Sequence, residues 1–167
     1  RTGSDKKIED FSENLTIPII NLLSPSSHPC QVLSDIFTVE EIKKKPISKL
    51  NICWIGDCNN VLNSLIATSV KLKFNLNVGC PKNYRPPKFV MDWVKKNKRK
   101  INIFNDPEKA AKNADVVFSD KVVSLNDKVN KAKKINDFKN YRITPSLMEV
   151  TRPQSIFLHC LPRGNEV

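Results

Sequence analysis

Apolar positions recur along this chain with a helical period in some stretches and as short unbroken runs in others. Ile8, Phe11 and Leu15 follow Ser4 at helical spacing, with Ser4 placed to cap a first helix. The apolar run over 17–23 predicts a short buried strand, and the Ser/Pro-rich stretch over 24–29 a turn. Val32, Leu33, Ile36, Phe37, Val39 and Ile42 then mark a helix that ends in Lys43-Lys44-Lys45 before Pro46. Lysines suit the negative end of a helix, and proline stops it. From residue 50 a regular alternation sets in. Strands are predicted over 50–55, 76–80, 101–104, 116–119, 141–144 and 155–160. Between them fall helices over 60–74, 87–98, 106–114 and 127–138, and a short one over 145–150. Strands separated by helices predict right-handed βαβ units, hence an α/β fold with a parallel sheet flanked by helices. Ligands of such sheets bind beyond the carboxyl ends of the strands. Functional residues are therefore expected just after positions 23, 55, 118 and 158.

Composition narrows the picture. The 167 residues are 40% hydrophobic and 27% charged, as in a folded globular chain. Lys and Arg exceed Asp and Glu by 28 − 17 = 11, which raises nucleic acid, a membrane surface or small anions as partners. Four isolated glycines exclude the glycine-rich loops of the two standard nucleotide motifs. No apolar run approaches the roughly 20 residues that span a bilayer, so no membrane association is expected. The first residues lack both the apolar stretch of a signal peptide and an initiator Met, so an internal piece of a longer protein is expected. Five cysteines without a C-x-x-C pair argue against a disulfide framework or zinc site and fit a reducing, cytoplasmic compartment. The lysine-rich stretches over 95–100 and 128–134 carry no interleaved aromatics, so they are taken as solvated helix faces rather than a nucleic-acid surface. Trp54 and Trp93 are expected in or beside the core.

Four polar clusters meet the strand-end expectation. His28-Pro29-Cys30-Gln31 opens a helix, where free backbone N–H groups suit a small anion or a polarised carbonyl. Gly56-Asp57-Cys58-Asn59-Asn60, followed by Asn63-Ser64-Leu65, enters the next helix. Asp120-Lys121-Val122-Val123-Ser124-Leu125-Asn126 follows a strand, and His159-Cys160-Leu161-Pro162-Arg163 closes the set. Asp57 and Asn59 are expected to order their turn, and His159 to orient its own loop.

Taken together, in this order and spacing, the four clusters resemble the ornithine branch of the aspartate/ornithine carbamoyltransferase family, across essentially the whole chain. His-Cys-Leu-Pro in place of His-Pro-Leu-Pro favours that branch. The resemblance implies a Rossmann-like ornithine-binding domain over 47–167, an interdomain helix over 34–46, and the C-terminal end of a preceding carbamoyl-phosphate-binding domain over 1–33. It implies attack of the δ-amine of L-ornithine on carbamoyl phosphate, giving citrulline and phosphate, with no metal or organic cofactor. His28 and Cys160 would be catalytic. Arg1, His28, Gln31, Cys160 and Leu161 would bind carbamoyl phosphate, and Asn60, Asp120, Ser124 and Leu125 would bind ornithine. A cytoplasmic homotrimer is implied for the full-length protein.

The chain departs from the family in the third cluster, where Val122, Leu125 and Asn126 replace Trp, Met and Gly. That leaves open another amine, such as putrescine or an acylated ornithine. The family's Ser-x-Arg-Thr-Arg phosphate loop and its last interdomain helix are not among these residues. The 167 residues alone are therefore expected to be inactive, and a non-catalytic binding module remains the further alternative.

Overall fold

A computed structural model describes residues 1–123, 130–164 and 167. Helix α1 (Asp5–Asn14) leads, and α2 (Pro29–Lys43) follows a long irregular segment. Then come β1 (Asn51–Ile55), α3 (Asn60–Leu72), β2 (Asn75–Gly79), α4 (Lys88–Lys96), β3 (Asn102–Phe104) and α5 (Pro107–Ala111). The chain continues through β4 (Val116–Ser119), α6 (Lys131–Asp137), α7 (Pro145–Glu149) and β5 (Ile156–His159). All strand pairs are parallel, in the order β3-β2-β1-β4-β5. The chain winds outward from β1 in one direction and then returns to add β4 on its other side. That reversal opens a crevice at the carboxyl ends of β1 and β4.

Alternate strand residues supply the two faces of the core. Ile52, Trp54, Leu76, Val78, Val116 and Phe118 pack with the apolar sides of α2, α3 and α4. Cys53, Ile55 and Val117 point the other way, onto Ala110 and Ala111 of α5, Phe138 and Leu147. Burial on both faces explains why the central strands β1 and β4 are near-continuous apolar runs, whereas β2, nearer the edge, alternates Asn with Leu and Val.

Two glycines fit the carboxyl edge of the sheet. Gly56, at φ 136°, turns the chain directly after β1, in a region that side chains rarely adopt. Gly79 lets α5 close on β2, because a Cβ there would meet the Ala110 side chain at 3.1 Å and Pro107 at 3.4 Å, and the Ile55 side chain of β1 at 2.7 Å.

Three expectations are corrected. The run over 17–23 is irregular rather than a buried strand, and Ile17, Ile20 and Leu22 are exposed, Ile20 by 76%. No strand lies beside it among the described residues, so its backbone has no ladder to join. The predicted strand over 141–144 is the end of a single 3-10 turn (Lys139–Tyr141) and an extended link into α7. Tyr141 and Ile143 are buried there as plugs under α7, which satisfies their apolar pattern without a sheet. The helix predicted over 106–114 stops at Ala111, because Asn113 takes a left-handed conformation.

Candidate active site

The crevice between β1 and β4 is built around one carboxylate. Asp120 follows β4 directly and is only 8% exposed. Its Oδ2 accepts from Asn59 Nδ2 at 2.6 Å. Its Oδ1 accepts from the Cys160 thiol at 2.6 Å and from the Lys121 amide at 2.8 Å. Three strand ends thus meet on one group, since Asn59 follows β1 and Cys160 follows β5.

Asn59 does two things at once. Its Oδ1 caps α3 by accepting from the Val61 and Leu62 amides at 3.0 and 3.2 Å, while its Nδ2 holds Asp120. The sequence signals the capping role, an Asn before a helical apolar period, but not the contact with a residue 61 positions away. Asn60 begins α3, and its Nδ2 donates to the Ser24 carbonyl at 2.9 Å. The Asp57 backbone carbonyl accepts from the Trp54 indole at 3.1 Å, while its side chain turns to Lys134. Trp54 is a core residue, and Trp93 packs beside the core.

Helix α2 presents its first turns to this carboxylate. His28 is the N-cap residue of α2, and its backbone amide donates to Ser64 Oγ at 2.8 Å. The imidazole Nδ1 is buried with no hydrogen-bond partner among the described residues. Burial holds the ring below its ordinary pKa, against the opposing pull of a hydrogen bond that the ring donates to the Leu22 carbonyl and of the Asp120 charge. A neutral imidazole carries a single N–H, so His28 donates to a polarised oxygen in the crevice only by releasing its bond to Leu22. Gln31 lies one turn further on and hydrogen-bonds Asp35. Asp35 went unnoticed in the sequence. Burial, with Asp120 nearby, lifts its carboxyl to about 6, against the lowering effect of Gln31. The signal was present in the spacing, since Gln31 and Asp35 are one helical turn apart on α2.

Cys160 is a donor in this arrangement rather than a thiolate. Burial, then its hydrogen bond to Asp120, push the thiol up to about 12. His159 turns its Nδ1 to the Cys160 carbonyl, which steadies the same loop. Arg1, Leu161 and Arg163 are exposed, Leu161 by 86%. Arg1 is close enough to oppose protonation of His28. The structure therefore joins Asp120 to Cys160 by a hydrogen bond and sets His28 within electrostatic reach of both Asp120 and Arg1, while Gln31 lies against Asp35 further along α2. Ser124 and Leu125 lie outside the described residues. Val122 packs against the α5–α7 face of the core.

The expectation of a wholly solvated lysine face on α6 is also corrected. Lys131 and Lys133 are exposed, but Lys134 is 3% exposed and its Nζ lies 2.7 Å from Asp57 Oδ2.

A parallel sheet wound in this order, with its polar residues gathered at the reversal point, defines a doubly wound α/β protein, a class whose ligands bind beyond the carboxyl ends of the strands. Residues 48–167 match the family model described as the Asp/Orn binding domain of aspartate/ornithine carbamoyltransferase. Residues 1–41 match the carbamoyl-P binding domain of the same family. The chain belongs to the aspartate/ornithine carbamoyltransferase family. It is 40% identical over its full length to the ornithine carbamoyltransferase of Mesorhizobium japonicum and 38% identical to that of Ruthia magnifica, spanning 55% of each. The anabolic ornithine carbamoyltransferase of Campylobacter jejuni has a similar structure, with a TM-score of 0.92 at 34% identity over 99% of this chain and 57% of that one. The enzyme from Pyrococcus furiosus gives 0.87 at 33% identity, over 98% of this chain and 54% of that one. The chain thus spans about half the length of the relatives it matches.

Proposed function

We propose that this chain forms the amino-acid-binding part of an enzyme that transfers the carbamoyl group of carbamoyl phosphate to the δ-amine of L-ornithine. The products are citrulline and phosphate. The observation that carries the reading is Asp120, a nearly buried carboxylate cradled by Asn59 and Cys160 and faced by His28. A carboxylate so placed suits the α-ammonium group of an amino acid. The neutral thiol of Cys160 beside it suits a neutral side-chain amine. The amine attacks the carbonyl carbon, the bond from that carbon to the phosphate oxygen breaks, and the amine's proton leaves with the phosphate. His28 donates to the carbonyl oxygen as negative charge gathers there, and Gln31 holds the carbamoyl amide. Arg1 and Leu161 belong to the carbamoyl-phosphate side, and Asn60, Ser124 and Leu125 to the ornithine side.

On this reading residues 1–33 close a carbamoyl-phosphate-binding domain, 34–46 link it, and 47–167 form the ornithine-binding domain. The other half of the full-length protein supplies most of the phosphate contacts, so the 167 residues alone are inactive. The full-length protein acts as a cytoplasmic homotrimer in arginine metabolism. A bisubstrate compound joining a phosphonate to ornithine should raise the melting temperature of the full-length protein, and citrulline should form from the two substrates. No protection together with no citrulline would sink the reading. Citrulline-like products from putrescine or acetylornithine, with none from ornithine, would reassign the amine.

A further inference from the structure

Only one residue of α6 is buried, and it is a lysine. Lys134 Nζ makes its ion pair with Asp57 where the two side chains are 4% and 14% exposed. Its ammonium group also stands 5.9 Å from the centre of the Tyr84 ring. Tyr84 in turn donates its hydroxyl to Asp137 Oδ2 at 2.9 Å and stacks at a tilt on Phe138, centroids 4.8 Å apart. One face of α6 is therefore bolted to two loops at the carboxyl edge of the sheet, the turn after β1 and the loop after β2.

Taking two charges out of water is costly, and a well-packed apolar pair would hold a helix in place at least as well. A buried ion pair adds something that apolar packing lacks: it fixes direction, because both charges must stay aligned to be compensated. The direction fixed here is that of a functional turn. Asp57 lies two residues before Asn59, in the same tight turn whose geometry Gly56 permits and the Trp54 indole braces. Asn59 is the residue that holds Asp120 Oδ2.

We propose that Lys134 and Asp57 form a positioning pair for the amino-acid site, which sets the turn carrying Asn59 and through it the orientation of the Asp120 carboxylate. The inference rests on the reading that Asp120 receives the substrate's ammonium group. Neither Lys134 nor Asp57 touches substrate. Their loss acts on binding of the amino acid and leaves binding of carbamoyl phosphate alone.

The test uses the full-length protein and varies ornithine and carbamoyl phosphate separately. Lys134→Met keeps the aliphatic stem and removes the charge. It should raise the KM for ornithine by about tenfold, with the KM for carbamoyl phosphate within about twofold of wild type. Lys134→Arg keeps a cation in reach of Asp57 and should recover most of the loss. Lys134→Met combined with Asp57→Asn removes both charges of this pair, so it should fold at least as well as either single variant. It should show the same rise in KM for ornithine. Adding Lys134→Met to Asn59→Ala should change the ornithine KM little further, because the pair acts through Asn59. An unchanged ornithine KM in the double variant, with a lowered melting temperature, would overturn the inference and leave the pair purely structural. Equal rises in both KM values, or no recovery with Lys134→Arg, would overturn it as well. Wild-type protein that forms no citrulline from ornithine would instead overturn the functional reading on which the inference stands.

Discussion

Replacing Asn59 separates two jobs that one side chain performs. Its oxygen caps α3 and its nitrogen holds Asp120. Asn59→Ser keeps a capping oxygen but is one atom too short for its hydroxyl to replace Nδ2 at Asp120, while Asn59→Ala removes both groups. Asp120 is 8% exposed, so bulk water replaces the lost donor poorly. A hydrogen bond to a charged group contributes about 1.5–3 kcal/mol, so the serine variant should lose about 2 kcal/mol. Loss of the cap costs about 1 kcal/mol more, which puts the alanine variant about 3 kcal/mol below wild type. Urea unfolding followed by Trp fluorescence measures this directly. With a slope of about 2 kcal/mol per molar urea, the midpoints should fall by about 1 M for serine and about 1.5 M for alanine. The slope itself should stay constant, since the same surface is exposed on unfolding. A serine variant within about 0.3 M of wild type would refute the claim that Asn59 stabilises Asp120. Coincident midpoints for serine and alanine would refute the capping contribution.

Three further outcomes follow from single side chains. Asp35 is lifted to about 6 in the folded chain against an ordinary 3.8, so the fold prefers its protonated form. Its favourable contribution is complete below about pH 4 and lost as pH rises through about 6. Asp35→Asn should therefore raise the melting temperature at pH 8, with the gain vanishing at pH 4; a gain of equal size at both would contradict the burial argument. Cys160, a thiol pushed up to about 12, should react with iodoacetamide at pH 8 far more slowly than a model thiol, and Asp120→Asn should speed the reaction. Gly79→Ala would set a Cβ 2.7 Å from the Ile55 side chain and 3.1 Å from that of Ala110. Overpacking of that kind costs about 1–3 kcal/mol, read as a lowered urea midpoint, and a variant as stable as wild type would show that the Ile55 side chain turns aside and α5 retreats.

Much of the sheet was legible because its strands are buried on both faces. Val116–Ser119 appeared as an apolar run bounded by polar residues, and it is a strand over those same four residues. The apolar run over 17–23 met that criterion and the alternating Tyr141-Arg142-Ile143-Thr144 met the strand period, yet neither is in the sheet. An apolar run records that a segment prefers to be covered, not what covers it. At 141–144 the cover is α7 and the core beneath it. At 17–23 the described residues offer none, and Ile17, Ile20 and Leu22 face outward. Lys134 shows the opposite failure: a lysine among lysines gives no sign of burial, since the carboxylate that compensates it lies 77 positions away.

The order of local signals was determined by the sequence alone: alternating strands and helices, caps at Asn59, Asp106 and Thr144, and polar clusters at the strand ends. Each depends on residues a few positions apart, which is the range over which backbone hydrogen bonds and caps act. Only the tertiary structure decided which cluster faces which. Parallel pairing of β1 with β4 and of β4 with β5 brings Asn59, Asp120 and Cys160 onto one carboxylate. The same packing turned Lys134 inward onto Asp57 and pressed Asp35 toward Asp120. Charge and burial act through space, so their partners are set by the sheet order and not by neighbours in the chain.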